Sequence, residues 1–206
     1  MRSMEPETHP SLTQSRWKPG LAHLISLAIF GATAIIIRLE GQPWWCECGK
    51  LWLWVSDIWS SHCSQHLLDP YSITHVAHGM ILWGALAFLP KRVRPRPDWQ
   101  FCIAIALEAA WEVLENSPFV INRYRQQTMA LDYLGDSVVN ALGDIVACAL
   151  GFVLARKLGL RWTIVLFIVM ELVLLFWIRD NLTLNVLMLI LPIEAIKNWQ
   201  TVGHAP

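Results

Sequence analysis

Apolar residues are gathered into long runs separated by short charged stretches. A helix needs roughly 20 predominantly apolar residues to cross the hydrocarbon core of a bilayer, and the first such run is Leu21 to Leu39, preceded by Arg16 and Lys18. It is long for a signal-peptide core and no small-residue cleavage site follows, so an uncleaved anchor is predicted. Further runs extend from Ile73 to Leu89, Trp99 to Leu114, Tyr133 to Leu154, Trp162 to Ile178, and Leu182 to about Trp199. Six membrane spans are therefore predicted. Pro192 and Glu194 interrupt the last one, and a proline there kinks or ends a helix.

Composition agrees with that reading. The chain has 206 residues, 55% of them hydrophobic, and its mean hydropathy is +0.42, well above the usage of soluble proteins. The expected fold is an all-α, polytopic membrane helix bundle of about six transmembrane helices. It comprises a tail at 1–19, one helical domain at 20–200 with a Trp- and Cys-rich outer loop at 40–70, and a tail at 201–206.

The net charge of zero hides a segregation. Eleven of the 16 Lys and Arg residues fall in the N-terminal tail, the loops "KRVRPRP" and "ARKLGLR", and the C-terminal segment, against five on the other side. By the positive-inside rule both termini are cytoplasmic and the 40–70 loop is extracytoplasmic. These basic clusters read as topology signals; no repeat, low-complexity tract or nucleic-acid signature is present, and no nucleic-acid partner is expected.

With this topology the acids converge. Glu108, Glu112 and Glu115 share one face near the outer end of the third span, by spacings of four and three. Asp132, Asp136, Asn140 and Asp144 follow at intervals of four into the next span. His75 and His78 stand in the first turns of the second, and Arg179, Asp180, Asn181 and Asn185 occupy the junction of the last two. An ionisable residue at the bilayer centre costs about 2.5–3.5 kcal/mol on insertion scales, so these groups face one another or a water-filled cavity. Either they hold the helices together by capping and by pairing with Arg123, Arg125 and Arg179, or they line a functional pocket.

Imidazole and carboxylate together suit zinc, iron or manganese. His75 and His78, with His66 folded back from the outer loop beside His62, are the candidate ligands for a divalent metal such as zinc. Glu112, Glu115, Asp136 and Asn140 are the candidate catalytic groups. No complete signature such as H-E-x-x-H is present, and the alternative for the two histidines is a hydrogen-bonded pair with Glu115 or Asp136. Arg123, Arg125, Arg179, Asn181 and Asn185 are candidates for binding substrate, the guanidinium groups through phosphate.

Cys46, Cys48 and Cys63 lie in the outer loop, and a disulfide from Cys63 to Cys46 or Cys48 is expected there; a soft metal site on Cys46 and Cys48 is the alternative. Trp44, Trp45, Trp52, Trp54 and Trp59 crowd the same loop. Interfacial anchoring is their expected role, as a short amphipathic helix on the membrane.

The segments "CECG", "SQHLLDPY", "HVAHG", "WEVLENSP", "LDYLGDSVVN" and "RDNLTLN" resemble those of a family of bacterial multi-pass inner-membrane proteins of unknown function. That resemblance covers Cys46 to Gln200 and implies an inner-membrane location with no stated activity. A looser similarity is to VanZ-like membrane proteins, whose pattern of histidine, glutamate, arginine and D-x-x-x-N-x-x-G is met by His78, Glu112 or Glu115, Arg123 or Arg125, and Asp136, Asn140 and Gly143. It implies an envelope-facing polar site.

Three functions fit. One is a metal-dependent hydrolase or transferase acting on a lipid or envelope precursor. Another is a proton- or cation-coupled carrier, with Glu171 and Asp144 as the deep relay groups. The third is a non-catalytic envelope assembly factor. Membrane lipids are the expected partners, with a second copy of the chain or an envelope protein as further ones.

Overall fold

The computed structural model describes residues 20–130 and 132–203, and among these there are seven helices and no strand. The tail expected at 1–19, with Arg16 and Lys18, and residues 204–206 lie outside the described residues. The helices are α1 (Leu21–Leu39), α2 (Ser72–Ala87), α3 (Pro97–Glu115), α4 (Pro118–Gln127), α5 (Val138–Ile178), α6 (Leu182–Ile190) and α7 (Glu194–Thr201). Pro97 and Pro118 stand in the first turns of α3 and α4, where a missing N–H leaves no bond unmade. Ser117, Ser137 and Asn181 cap α4, α5 and α6, each side chain accepting from an N–H three residues on.

The 41-residue α5 is broken at Gly159, whose φ of 73° and ψ of 170° are not helical. A straight helix of that length would hold its ends about 60 Å apart. Both ends instead meet the 40–71 segment: Val138 and Val139 donate backbone bonds to the Pro43 and Trp44 carbonyls, and Trp177 stacks on Trp54 with centroids 6.2 Å apart. The chain therefore reverses at Gly159, and the two arms correspond to the runs expected at Tyr133 to Leu154 and Trp162 to Ile178.

By length and composition two helices, α1 and α5, are able to cross a membrane. α2 has 16 residues, short of the roughly 20 a span needs, and α3 carries four acids. The sixth expected span is not one helix. It appears as α6, nine residues, and α7, eight residues, separated at Leu191 to Ile193 around Pro192. Neither reaches across a bilayer. Gln200 at the end of α7 donates to the Arg179 carbonyl and Lys197 to that of Gln126, so this segment stays beside α4 and the end of α5. Residues 21 and 202 consequently lie toward opposite ends of the bundle.

α2 packs against the first arm of α5 through small residues. A Cβ placed on Gly79 would overlap the Cys148 carbonyl and the Phe152 nitrogen, and one on Gly151 would overlap the Val76 carbonyl. Gly151, with Ala147 and Ala155 one turn to either side, lies in the buried stripe that permits this approach. α1 and α3 close the other side, where Ile37, Val138 and Ala141 form one apolar cluster and Ile105, Ala109 and Ile145 another. Outward-facing positions are apolar in turn: Leu24, Leu27 and Ile35 on α1, and Ile164, Ile168, Leu172 and Phe176 on α5, are exposed.

Replacing Gly79 by Ala is expected to destabilise the fold by about 1–3 kcal/mol, the usual cost of overpacking, seen as a lower midpoint in thermal unfolding of the detergent-solubilised protein. Gly84→Ala on the same helix, where an added Cβ meets nothing within 4 Å, is expected not to lower that midpoint, since alanine is the better helix former.

Candidate functional site

The α2 stretch "THVAHG" places His75 and His78 one turn apart on the side facing α3 and α5. His75 sits between three carboxylates: its Nδ1 lies 2.6 Å from Glu108 Oε1 and 3.2 Å from Glu112 Oε1, and its Nε2 lies 3.9 Å from Asp144 Oδ2. His78 Nδ1 approaches the same Glu108 at 3.0 and 3.2 Å. The two imidazole rings meet edge to face, 4.9 Å apart. Glu108, Glu112, Asp144 and His75 are all buried.

Hydrogen bonds do not account for this centre. Both oxygens of Glu112 and Oδ1 of Asp144 are buried and have no hydrogen-bond partner. An ionised carboxylate in a low-dielectric interior is costly unless paired and bonded. Three ligand sets converge here: His75, His78 and Glu108; His75, Glu112 and Asp144; and Glu112, Glu115 and Asp136, each with its ligand atoms within 4.8 Å of one another.

Beside the centre lies a polar collar held by hydrogen bonds. Asn116, at the end of α3, donates through Nδ2 to Asp136 Oδ2 at 2.9 Å, while its Oδ1 accepts from the Asp136 backbone N–H at 2.6 Å. Tyr133 donates to Asp136 Oδ1 at 2.9 Å. Asn140 donates to the His66 carbonyl at 2.8 Å, which ties α5 to the 40–71 segment. Asp69, just before α2, accepts from the backbone N–H groups of Ser64 and Tyr71. Burial raises its pKa and those N–H groups oppose the rise.

Several expectations change. His75 and His78 pair with Glu108, not with Glu115 or Asp136. Glu108 was recognisable as one turn before Glu112 on the same face, yet only the packing gives it both histidines. His66 does not join them: it lies with Cys46, Cys48 and His62. All five cysteines are free, so the expected disulfide is absent; the Cys63 thiol faces Asp69 Oδ2 at 3.8 Å and Cys46 Sγ faces His62 Nδ1 at 3.2 Å. No helix forms over 40–71, although Trp44, Trp45, Trp52, Trp54 and Trp59 are exposed there as anchoring requires.

The residues expected to bind substrate have structural partners. Arg123 donates to the carbonyls of Leu189 and Ile190 at the end of α6, and Arg179 to those of Trp199 and Val202. Asn181 caps α6 and Asn185 accepts from Tyr124. Arg125 is exposed. Glu171, expected as a deep relay group, caps the start of α6 by accepting from the N–H groups of Leu182 and Thr183 at 3.0 Å.

The family described as protein of unknown function, DUF2585, matches residues 37–202. The chain belongs to this family. It is 44% identical to a UPF0314 protein of Rhizobium meliloti (strain 1021) over 179 residues, 86% of this chain and 89% of the relative. It is 45% identical to a UPF0314 protein of Sphingopyxis alaskensis over 183 residues, 87% and 95% of the two chains. With a UPF0314 protein of Brucella anthropi the identity is 40% over 202 residues, 98% and 99% of the two chains. No solved structure matches. The DUF2585 match bears out the resemblance to a family of unknown function; the looser likeness to VanZ-like proteins gains no support from it.

Within this DUF2585 chain the Asn116 to Asp136 pair fixes how α3 and α5 enter the site. Asn116→Leu removes both bonds and leaves Asp136 buried, and a hydrogen bond to a charged group contributes about 1.5–3 kcal/mol. Denaturant unfolding is expected to show a loss of that size.

Proposed function

We propose that the chain is a multi-pass inner-membrane protein whose His75, His78, Glu108, Glu112 and Asp144 hold a divalent transition metal. The observation that carries this reading is the buried, unbonded carboxylate of Glu112 beside His75 and Asp144. A cation at that point would pair with Glu112 and Asp144, whose ligand atoms lie with that of His75 within 4.8 Å of one another. The mixed imidazole and carboxylate donors suit zinc, manganese or iron, and inward-facing Glu and His from neighbouring helices are how helix bundles build such sites.

Membrane placement is supported by the inverted polarity of the bundle. Charged groups are inside and large apolar side chains are outside, as lipid rather than water requires. α1 and the arms of α5 supply the membrane-length segments; α2 and α3 would lie among them, with the 40–71 segment, α4, α6 and α7 together at the outer face. Lipids are then the natural partners.

A bound metal polarises a carbonyl or phosphoryl oxygen and lowers the pKa of a coordinated water to about 7. The proposed reaction is hydrolysis or transfer of a group on a lipid or envelope precursor. Asp136 and Asn140 act as positioning residues through Asn116 and the His66 carbonyl. Exposed Arg125 is the remaining candidate for phosphate, since Arg123 and Arg179 are engaged with carbonyls. The same acids would serve a proton or cation carrier, but with Glu171 engaged in capping α6 the deep relay is reduced to Asp144.

Elemental analysis of the purified protein, after loading with zinc, manganese or ferrous iron and removal of excess, is expected to show metal retained by the wild type. Glu112→Gln and Asp144→Asn should each lower the affinity of that metal at least tenfold. Equal retention by the wild type and both amide variants would sink this reading. Metal binding should also weaken as pH falls, because protons compete for the imidazole and carboxylate ligands.

A further inference from the structure

A second group of donors lies apart from the buried centre, in the 40–71 segment. Cys46 Sγ is 3.2 Å from His62 Nδ1, Cys48 Sγ is 3.7 Å from His66 Nε2, and the two histidine nitrogens are 3.5 Å apart. All four ligand atoms lie within 4.8 Å of one another. A tetrahedral zinc ion, with bonds of about 2.3 Å to sulfur and 2.0–2.1 Å to nitrogen, sets N–N edges near 3.4 Å and N–S edges near 3.6 Å. The N–S separations of 3.2 and 3.7 Å lie on either side of the second value, and the N–N separation of 3.5 Å is close to the first. We propose that Cys46, Cys48, His62 and His66 form a structural zinc site that clamps the 40–71 segment over the outer ends of α2 and α5.

The chemistry of the donors supports zinc. Two thiolates and two neutral imidazoles give a dication a net charge of zero, which suits a site whose Cys46 and His66 are buried. The spacing of the histidines, H-x-x-x-H, is one that structural zinc sites use. A structural site is closed by four protein ligands, and these four residues complete it without water. The two thiols are also unequal: burial raises the pKa of Cys46, while the hydrogen bond from Cys46 lowers that of exposed Cys48.

The surroundings couple the site to the rest of the fold. The Cys46 N–H donates to the Gln65 carbonyl at 2.9 Å, and the Leu67 N–H donates to the Trp52 carbonyl. Asn140 of α5 holds the His66 carbonyl. A Cβ on Gly143, one turn further, would overlap the Leu67 carbonyl. Zinc at this point therefore fixes the loop that packs directly on the start of α5, close to the collar beside the carboxylate centre.

Loading requires one local change. The Trp52 N–H donates to His66 Nδ1 at 3.2 Å, so the neutral ring carries its proton on Nε2, facing the other donors. Ligation through Nε2 moves that proton to Nδ1 and releases the Trp52 amide. The Trp52 indole stacks on His66 with centroids 4.6 Å apart, so its fluorescence reports the event.

The test uses the full-length protein in detergent, kept reduced, stripped of metal and titrated with cobalt(II). The expected result is a thiolate-to-cobalt charge-transfer absorption with an intense tetrahedral visible spectrum, displaced by one equivalent of zinc. Cys48→Ser and His62→Ala should weaken cobalt binding at this site at least tenfold, and Trp52→Phe should remove the accompanying fluorescence change. Glu112→Gln should leave the thiolate band intact, which separates failure here from failure of the buried centre. Absence of the thiolate band in the wild type, or its persistence in Cys48→Ser, overturns the proposal. So does a Cys46 to Cys48 disulfide found by mass spectrometry in protein alkylated in its native membrane.

Discussion

The closeness of α2 to the first arm of α5 is the constraint on which the rest of the molecule depends. Gly79 lies against the Cys148 carbonyl and Gly151 against that of Val76, so the two helices meet backbone to backbone. Where side chains would otherwise hold helices 8–10 Å apart, glycine lets them come closer. That distance brings His75 on α2 within 3.9 Å of Asp144 on α5. α3 then fits into the remaining side and delivers Glu108 and Glu112 to the same imidazole. Widening the α2 and α5 contact would withdraw His75 from Asp144 and open the centre.

From the 40–71 segment toward the middle of the bundle the polar groups form three tiers. Thiols and imidazoles of the 40–71 segment come first, then the bonded collar of Asp69, Asn116, Asp136 and Asn140, then the histidine and carboxylate centre. The collar is hydrogen-bonded through Asn116, Tyr133 and the His66 carbonyl, while the tiers on either side are rich in metal-ligating atoms. Burial of unbonded carboxylates beside a hydrogen-bonded layer makes the centre expensive to leave unpaired. Asn140 links the tiers directly, through its bond to the His66 carbonyl.

Much of the helical framework was legible in the chain. Leu21 to Leu39 coincides with α1, and the runs flanking "ARKLGLR" became the two arms of α5, because long unbroken apolar runs of that length read as helices and not as the shorter strands. The turn between the arms needed Gly159 in a left-handed conformation, which glycine adopts without steric cost. Glu108, Glu112 and Glu115 were assignable to one face from their spacing alone. The run from Leu182 to Trp199 misled, since hydropathy averages over Pro192 while the backbone cannot.

By itself, then, the sequence determined that α1, α2, α3 and the two arms of α5 are helical, which face of α3 carries the acids, and where the tryptophans and cysteines gather; α4 and the break between α6 and α7 it did not. Those properties follow from local periodicity and from side-chain chemistry. Only the tertiary structure decided that His66 pairs with Cys46, Cys48 and His62 and not with His75, that Glu108 receives both α2 histidines, and that Arg123 and Arg179 bind carbonyls. Each of these depends on how far apart two helices or loops lie. Here that separation is set by glycines such as Gly79 and Gly151, whose effect appears only when another backbone is packed against them.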